Sequence, residues 1–304
     1  MADKPGRRQG KMTAVRSIEG AMRSIGARHE TDPQQQADNI RQNGIYYASP
    51  VLRNSIIGGL EIRPKKGNAD NLVVIGCACF GTALPLRSYA LLLQRLGVDY
   101  VFLEKEYCCG APLLHSAVIG GNDTAPAEES IREFLDMNIV QARERGVKDM
   151  HYFCIWCAYL AKRFHSDCGI NQNYAFDILA ERLKGADLRL DMKIGYFGGL
   201  SHRRPIYVPE QDLDLDWASY RNLLDQVQGL EVVKIPKYCC QVAPQAIFDR
   251  AKAEGVDTLV VDCIVCYGNL VRKVTRMAPG MRVKYLSDVL LAAFEHDERV
   301  LDWL

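Results

Sequence analysis

Two stretches of the chain place adjacent cysteines after a tyrosine: EYCCGAP at 106–112 and KYCCQVAP at 237–244. The likeness extends along the sequence. LVVIGC (72–77) is answered by MKIGYFGG (192–199), each an apolar run that reaches glycine. LGVDYVFLEKEYCCGAP is answered by QGLEVVKIPKYCCQVAP, and GVKDMHYFCIWC by GVDTLVVDCIVC, with Gly-Val eight residues before the first cysteine in both. Three matches in the same order read as an internal duplication, one unit at about 72–160 and the other at about 192–270. Within each unit strand-like runs alternate with helix-like segments, which predicts an α/β fold. Residues 1–70 are polar and cysteine-free, with helical spacing in TAVRSIEGAMRSIG and a helix start at Asp32-Pro33, and are read as a helical, basic appendage.

With 304 residues, 48% hydrophobic and 25% charged, the chain suffices for one large or two ordinary domains. Its longest weakly polar stretch, 72–86, is shorter than the ~20 residues that span a bilayer and contains Pro85, so neither a membrane span nor a signal peptide is expected. That reading places the chain in a reducing cytoplasm, where eleven cysteines are metal ligands or redox thiols before they are a disulfide framework. A net charge of +1 argues against nucleic acid. Residues 1–30 carry seven Lys/Arg against three Asp/Glu, and 285–304 one against five, which suits a docking arm and an acidic C-terminal helix in a complex.

Neighbouring Cα atoms lie about 3.8 Å apart, short of the ~4.4–6.8 Å of ordinary disulfides, so a bridge within a doublet is strained. Adjacent side chains also diverge in extended backbone, which suits different irons of a cluster better than one tetrahedral ion. Each unit adds a C-x-x-C, Cys154 with Cys157 and Cys263 with Cys266, after a strand-like run. A helix N-terminus following the strand would favour the thiolate. Iron–sulfur, zinc and metal-free dithiol chemistry all remain open on spacing alone, with iron–sulfur favoured by the repeated doublet.

Glycine-cysteine after a strand, then Cys-Cys-Gly, then C-x-x-C resembles the CCG domain of the catalytic, cysteine-rich component of heterodisulfide reductase and its relatives among succinate and thiol:fumarate reductases. The resemblance implies two pseudo-symmetric Rossmann-like units with parallel strands, at 71–190 and 191–304, behind the 1–70 extension. It further implies a non-cubane 4Fe-4S cluster held by Cys77, Cys108, Cys109, Cys154 and Cys157 in the first unit. Cys79 is an alternative to Cys77, which follows the glycine. The second unit departs from the pattern: Gly199 stands where the first cysteine is expected and Gln241 follows the doublet. Its Cys239, Cys240, Cys263 and Cys266 suffice for a 4Fe-4S cluster or zinc.

On this reading Cys108 and Cys109 bear the reacting centre and His115 donates a proton to a leaving thiolate. Trp156 either shields the cluster or, like His151, His165 and Cys168, is structural; His202, Arg203 and Arg204 either start a helix or line an anionic substrate's pocket. Neither G-x-G-x-x-G nor Walker A occurs, so electrons reach the chain through other polypeptides: the resemblance implies an iron–sulfur electron-transfer protein and a flavoprotein as partners in the complex. The expected activity is electron transfer between the iron–sulfur partner and a disulfide, thiol or sulfur-carrying substrate, as in a heterodisulfide reductase-like complex. A non-catalytic electron-transfer or assembly role, with a structural zinc or cubane cluster in the second unit, is the alternative.

Overall fold

The computed structural model describes residues 32–45, 50–77, 83–198, 217–236 and 238–303. Contacts divide the chain into two compact units, Met1–Arg87 with Val98–Asn173, and Ser88–Gly97 with Tyr174–Leu304.

In the first unit, helices α1 (Pro33–Asn43) and α2 (Pro50–Gly59) precede strand β1 (Asn71–Val74). The side chains of Leu72, Val73 and Val74 are all buried, as a short strand of a covered parallel sheet requires. β1 pairs in parallel with β2 (Tyr100–Val101) and β3 (Asp149–Tyr152), and β4 (Asn171–Tyr174) completes the order β2-β1-β3-β4. Helices α3 (Leu84–Arg95, of which Ser88 onward belongs to the second unit), α4 (Ala111–Ile119), α5 (Ala125–Glu144) and α6 (Ile155–His165) alternate with them in sequence. With successive strands added on opposite sides of β1, a crevice opens at the carboxyl ends of β1, β2 and β3.

The second unit repeats that order as β6-β5-β7-β8, all parallel, with β5 (Arg189–Phe197), β6 (Gln228–Lys234), β7 (Thr258–Val261) and β8 (Arg282–Tyr285). Its helices are α7 (Ala175–Arg182), α8 (Trp217–Asp225), α9 (Pro244–Ala253), α10 (Ile264–Met277), α11 (Leu286–Glu295) and α12 (Val300–Trp303). The two Rossmann-like α/β units expected from the duplication are thus present. A fourth match between the copies is visible only in the fold. Tyr174 and Tyr285 end β4 and β8, and each donates its N–H to the aspartate three residues on, Asp177 at 2.8 Å and Asp288 at 2.7 Å.

Three expectations change. Helices α1 and α2 pack into the first unit instead of standing off as an appendage: the Arg41 guanidinium binds Glu133 of α5 at 2.8 Å, and Arg53 is buried against Glu106. The contact boundary falls at Asn173–Tyr174 and the motif boundary near 190. Phe176 of α7 stacks on Tyr220 and Tyr285, and Tyr174 bonds the carbonyl of Asp262, so α7 spends its apolar face on the second unit. Helix α11 is mostly buried, Asp288 of its first turn included; Glu295 at its end meets Arg95, and Asp302 of α12 faces Arg282. No described helix is long and apolar enough to cross a membrane.

Candidate metal centre

Three strand ends bring the first unit's cysteines to one crevice. β1 runs through Ile75 and Gly76 into Cys77, and Gly76 has φ +73°, a conformation that favours glycine. The chain after β2 leads through Lys105, Glu106 and Tyr107 to Cys108 and Cys109. Gly110, left-handed at φ 73°, then caps α4. Beyond β3, Cys154 is the N-cap of α6 and Cys157 lies in its first turn, as the C-x-x-C spacing predicts. Cys77 is half-buried and the other four are buried.

The thiols act on one another's titration along a continuous row: Cys77 with Cys108, Cys108 with Cys109, Cys109 with Cys157, and Cys157 with Cys154. Cys108 is held well below the usual thiol range, first by the thiols of Cys109 and Cys77 and further by the N–H of Gly110. Cys154 is lowered by the thiol of Cys157 and by the N–H groups of Cys157 and Trp156 at the start of α6. Cys77 and Cys109 are raised foremost by the thiol of Cys108, and Cys157 by the thiols of Cys109 and then Cys154, with burial acting in the same direction. Backbone donors thus favour anionic sulfur, the state that binds metal.

Polar side chains outside the cysteine motif hold the doublet's loop. Asn138, buried in α5, accepts the N–H of Tyr107 at 2.8 Å and donates to its carbonyl at 2.7 Å. Gln141 donates to the carbonyl of Lys105 at 3.0 Å. Glu106 and Arg53, buried together, are not singled out by motif or spacing. Their one trace in the sequence is that Glu106 of EYCC is replaced by Lys237 in KYCC.

Other anticipated residues fall around this centre. His115 is half-buried on α4, five residues beyond Gly110. Trp156 packs edge-on against Tyr159, with centroids 6.4 Å apart. His151 turns toward the amino end of the sheet, its Nε2 3.0 Å from Asn71 Oδ1, and burial lowers its pKa to about 4. His165 lies 3.3 Å from the carbonyl of Arg132. Cys168 accepts from Gln172 at 3.2 Å. Cys79, Gly199, His202, Arg203 and Arg204 lie outside the described residues.

In the second unit Cys263 is the N-cap of α10, and the thiol of Cys266 bonds those of Cys240 and Cys263. Cys239 is half-exposed, with its carbonyl accepting the N–H of Ala243 at 2.8 Å. Without a left-handed glycine after the doublet, the chain takes one extra residue to reach the following proline, Pro244 against Pro112, and Val242 is 84% exposed. Cys240 is lowered to about 7 by the thiol of Cys266, by the amide of Asn269 and by the nearby Lys273. Asn269 Nδ2 stands 3.5 Å from the sulfur, and Arg272 orients that amide at 2.7 Å. Behind the site, the buried Asp262 carboxylate accepts the hydroxyl of Tyr196, where the first unit aligns Phe153 and Val74.

Among the described residues no three His, Cys, Asp or Glu side chains form a site for a single metal ion. The first unit's donor set does fit an iron–sulfur cluster. Five sulfurs are neighbours, two have their thiol pKa lowered by adjacent thiols and further by backbone N–H groups, and the missing Cβ of Gly76 leaves the backbone room to pass Cys154 and Cys157.

Among known proteins, the family described as CCG, cysteine-rich domain, matches residues 72–159. The chain is 25% identical over 232 residues to Lactate utilization protein A of Geobacillus kaustophilus (strain HTA426), covering 66% of this chain and 89% of that protein. Among solved structures it is similar to a putative Asp/Glu racemase from Yersinia pestis (TM-score 0.36, 15% identity, 75% of this chain and 98% of that one). PH1733, an aspartate racemase homologue from Pyrococcus horikoshii OT3, scores 0.32 at 10% identity over 75% of this chain and 98% of that one. Likenesses of that size carry no inference about chemistry. The segment that matches the cysteine-rich CCG domain, residues 72–159, coincides by contrast with the strand ends that gather the five thiols.

Proposed function

We propose that the protein is the iron–sulfur redox component of a heterodisulfide reductase-like complex. It passes electrons between a partner iron–sulfur protein and a disulfide, thiol or sulfur-carrying substrate. The observation that carries this reading is the row of five thiols, Cys77, Cys108, Cys109, Cys154 and Cys157, in one crevice of the CCG domain. These five would hold a non-cubane 4Fe-4S cluster, which when bound supplies single electrons and an iron for substrate sulfur.

The chain's own residues do the rest. Gly110, Trp156 and Cys157 stabilise anionic sulfur through their N–H groups, and burial of Cys108, Cys109, Cys154 and Cys157 excludes water. His115, half-buried on the helix that follows the doublet, delivers a proton to the departing substrate sulfur. In the second unit Cys240, Cys263 and Cys266, with Cys239 at the rim, hold a 4Fe-4S cluster or zinc. An iron–sulfur electron-transfer protein and a flavoprotein are the partners, in the cytoplasm.

The match to Lactate utilization protein A favours a second reading, in which the same redox site serves lactate utilization. Iron, zinc and acid-labile sulfide per chain after anaerobic purification, with low-temperature EPR of the oxidised protein, test the proposal. Iron with a signal that changes on adding thiol supports a substrate-binding cluster; zinc alone overturns it. Cys109→Ala separates catalysis from assembly: turnover is lost with the complex intact in the first case, and the complex dissociates in the second.

A further inference from the structure

We propose that Glu106, with Arg53 as its counter-charge, is the positioning residue of the first cysteine site, so that residues 32–70 are a working part of it. The inference rests on reading that site as the holder of an iron–sulfur group. Glu106 stands two residues before Cys108 and is 3% exposed. One carboxylate oxygen accepts the N–H of Gly76 at 2.6 Å; the other accepts the N–H of Ile75 at 2.8 Å and Nη2 of Arg53 at 3.2 Å. Ile75 and Gly76 lead into Cys77. A single side chain therefore ties the backbone before Cys77 to the backbone before the doublet.

Residues far from the cysteines in sequence complete the clamp. Arg53 Nη1 donates to the carbonyl of Leu103 at 2.7 Å, gripping the doublet's loop at its other end. The carbonyl of Gly44 accepts the N–H of Cys108 at 2.6 Å. Gly44 has φ +78°, and a Cβ there would lie 2.3 Å from the carbonyl oxygen of Glu106, so the approach requires glycine.

Stability is a poor reason for this arrangement. A buried ion pair seldom repays its desolvation, and Arg53 Nε is buried without a hydrogen-bond partner. What the pair supplies is geometry, because the carboxylate is satisfied only with both ligand loops in place. The two copies of the unit agree with this. Where the second lacks the cysteine aligned with Cys77 and has Gly199, it also lacks the carboxylate and has Lys237. Clamp and ligand are lost together.

Glu106→Gln in the full chain tests the assignment, since the amide presents an NH2 to a backbone N–H. The folded variant is expected to hold its iron roughly 10-fold or more weakly against a chelator, with an altered EPR signal. In metal-free protein, Cys77 is expected to alkylate faster than in the unsubstituted chain. Val283→Ala in β8, a core truncation in the second unit, lowers thermal stability without moving either readout, which separates positioning from general destabilisation. Should Glu106→Gln fail to fold, Arg53→Lys keeps the buried charge, loses the fork to Leu103, and carries the same two outcomes. Iron retention, signal and alkylation rate all equal to those of the unsubstituted chain overturn the proposal. Absence of iron from the unsubstituted chain instead sinks the iron–sulfur reading and leaves alkylation to decide on positioning.

Discussion

Gly76 passes so close to Cys157 that a Cβ on it would stand 3.2 Å from the sulfur, and 3.1 Å from the Cβ of Cys154. Its φ of +73° adds backbone strain to any side chain placed there. Gly76→Ala is expected to cost about 1–3 kcal/mol and to displace Cys77 from the thiol row. Urea denaturation alongside iron content checks both; unchanged stability and iron would mean the loop has slack that the geometry does not suggest.

The second unit's doublet is asymmetric, and its two cysteines should answer differently to substitution. Cys240 bonds Cys266 while Cys239 is half-exposed. Cys240→Ala is expected to abolish metal retention by the second unit, and Cys239→Ala to leave most of it. Metal analysis of both variants decides, and equal losses would restore the four-cysteine set.

In metal-free, reduced protein the alkylation rate of Cys240 should rise through a midpoint at about 7. Because its folded pKa is depressed, the associated stabilisation is present above the unfolded thiol range and fades as pH falls through 7. Asn269→Leu, which copies the aligned Leu160 of the first unit, removes one of the contributions and should move the midpoint upward. Mass spectrometry of alkylated peptides across pH follows it. A midpoint that stays put excludes the Asn269 amide as a cause.

His151 titrates at about 4 in the folded chain, lowered by burial, against about 6.5 when unfolded. Protonation therefore favours unfolding. Stability is complete above the unfolded value and is lost as pH falls from there toward 4, by about 2 kcal/mol between pH 7 and pH 5. His151→Gln retains a donor toward Asn71 and should flatten that limb of a urea-denaturation profile. An equally steep limb in the variant would assign the loss to other groups.

Much of this was legible in the chain. The ordered repeats predicted two α/β units, the apolar runs before cysteine predicted strand ends, and Cys154 and Cys263 do cap the helices that follow. These features are local, fixed by spacing, glycine and the period of apolar residues. The Glu106 clamp was not legible, because Arg53 and Gly44 meet it across more than fifty residues and only burial gives a glutamate among apolar neighbours its meaning. The one-residue insertion that exposes Val242 looked like a glycine lost after the doublet, and its effect on the turn is a matter of backbone conformation.

Sequence alone determined the duplication and the α/β class, since each is written in period and spacing, and it offered the cysteines that the resemblance implies as sulfur donors. The tertiary structure decided which thiols meet: five in a row in the first unit, three in the second with Cys239 at the rim, and a frame built from Gly44, Arg53, Glu106 and α5. The reason is physical. A strand end and a helix cap are encoded by neighbours in the chain, whereas the coming together of sulfurs, carboxylate and guanidinium depends on how separate elements pack.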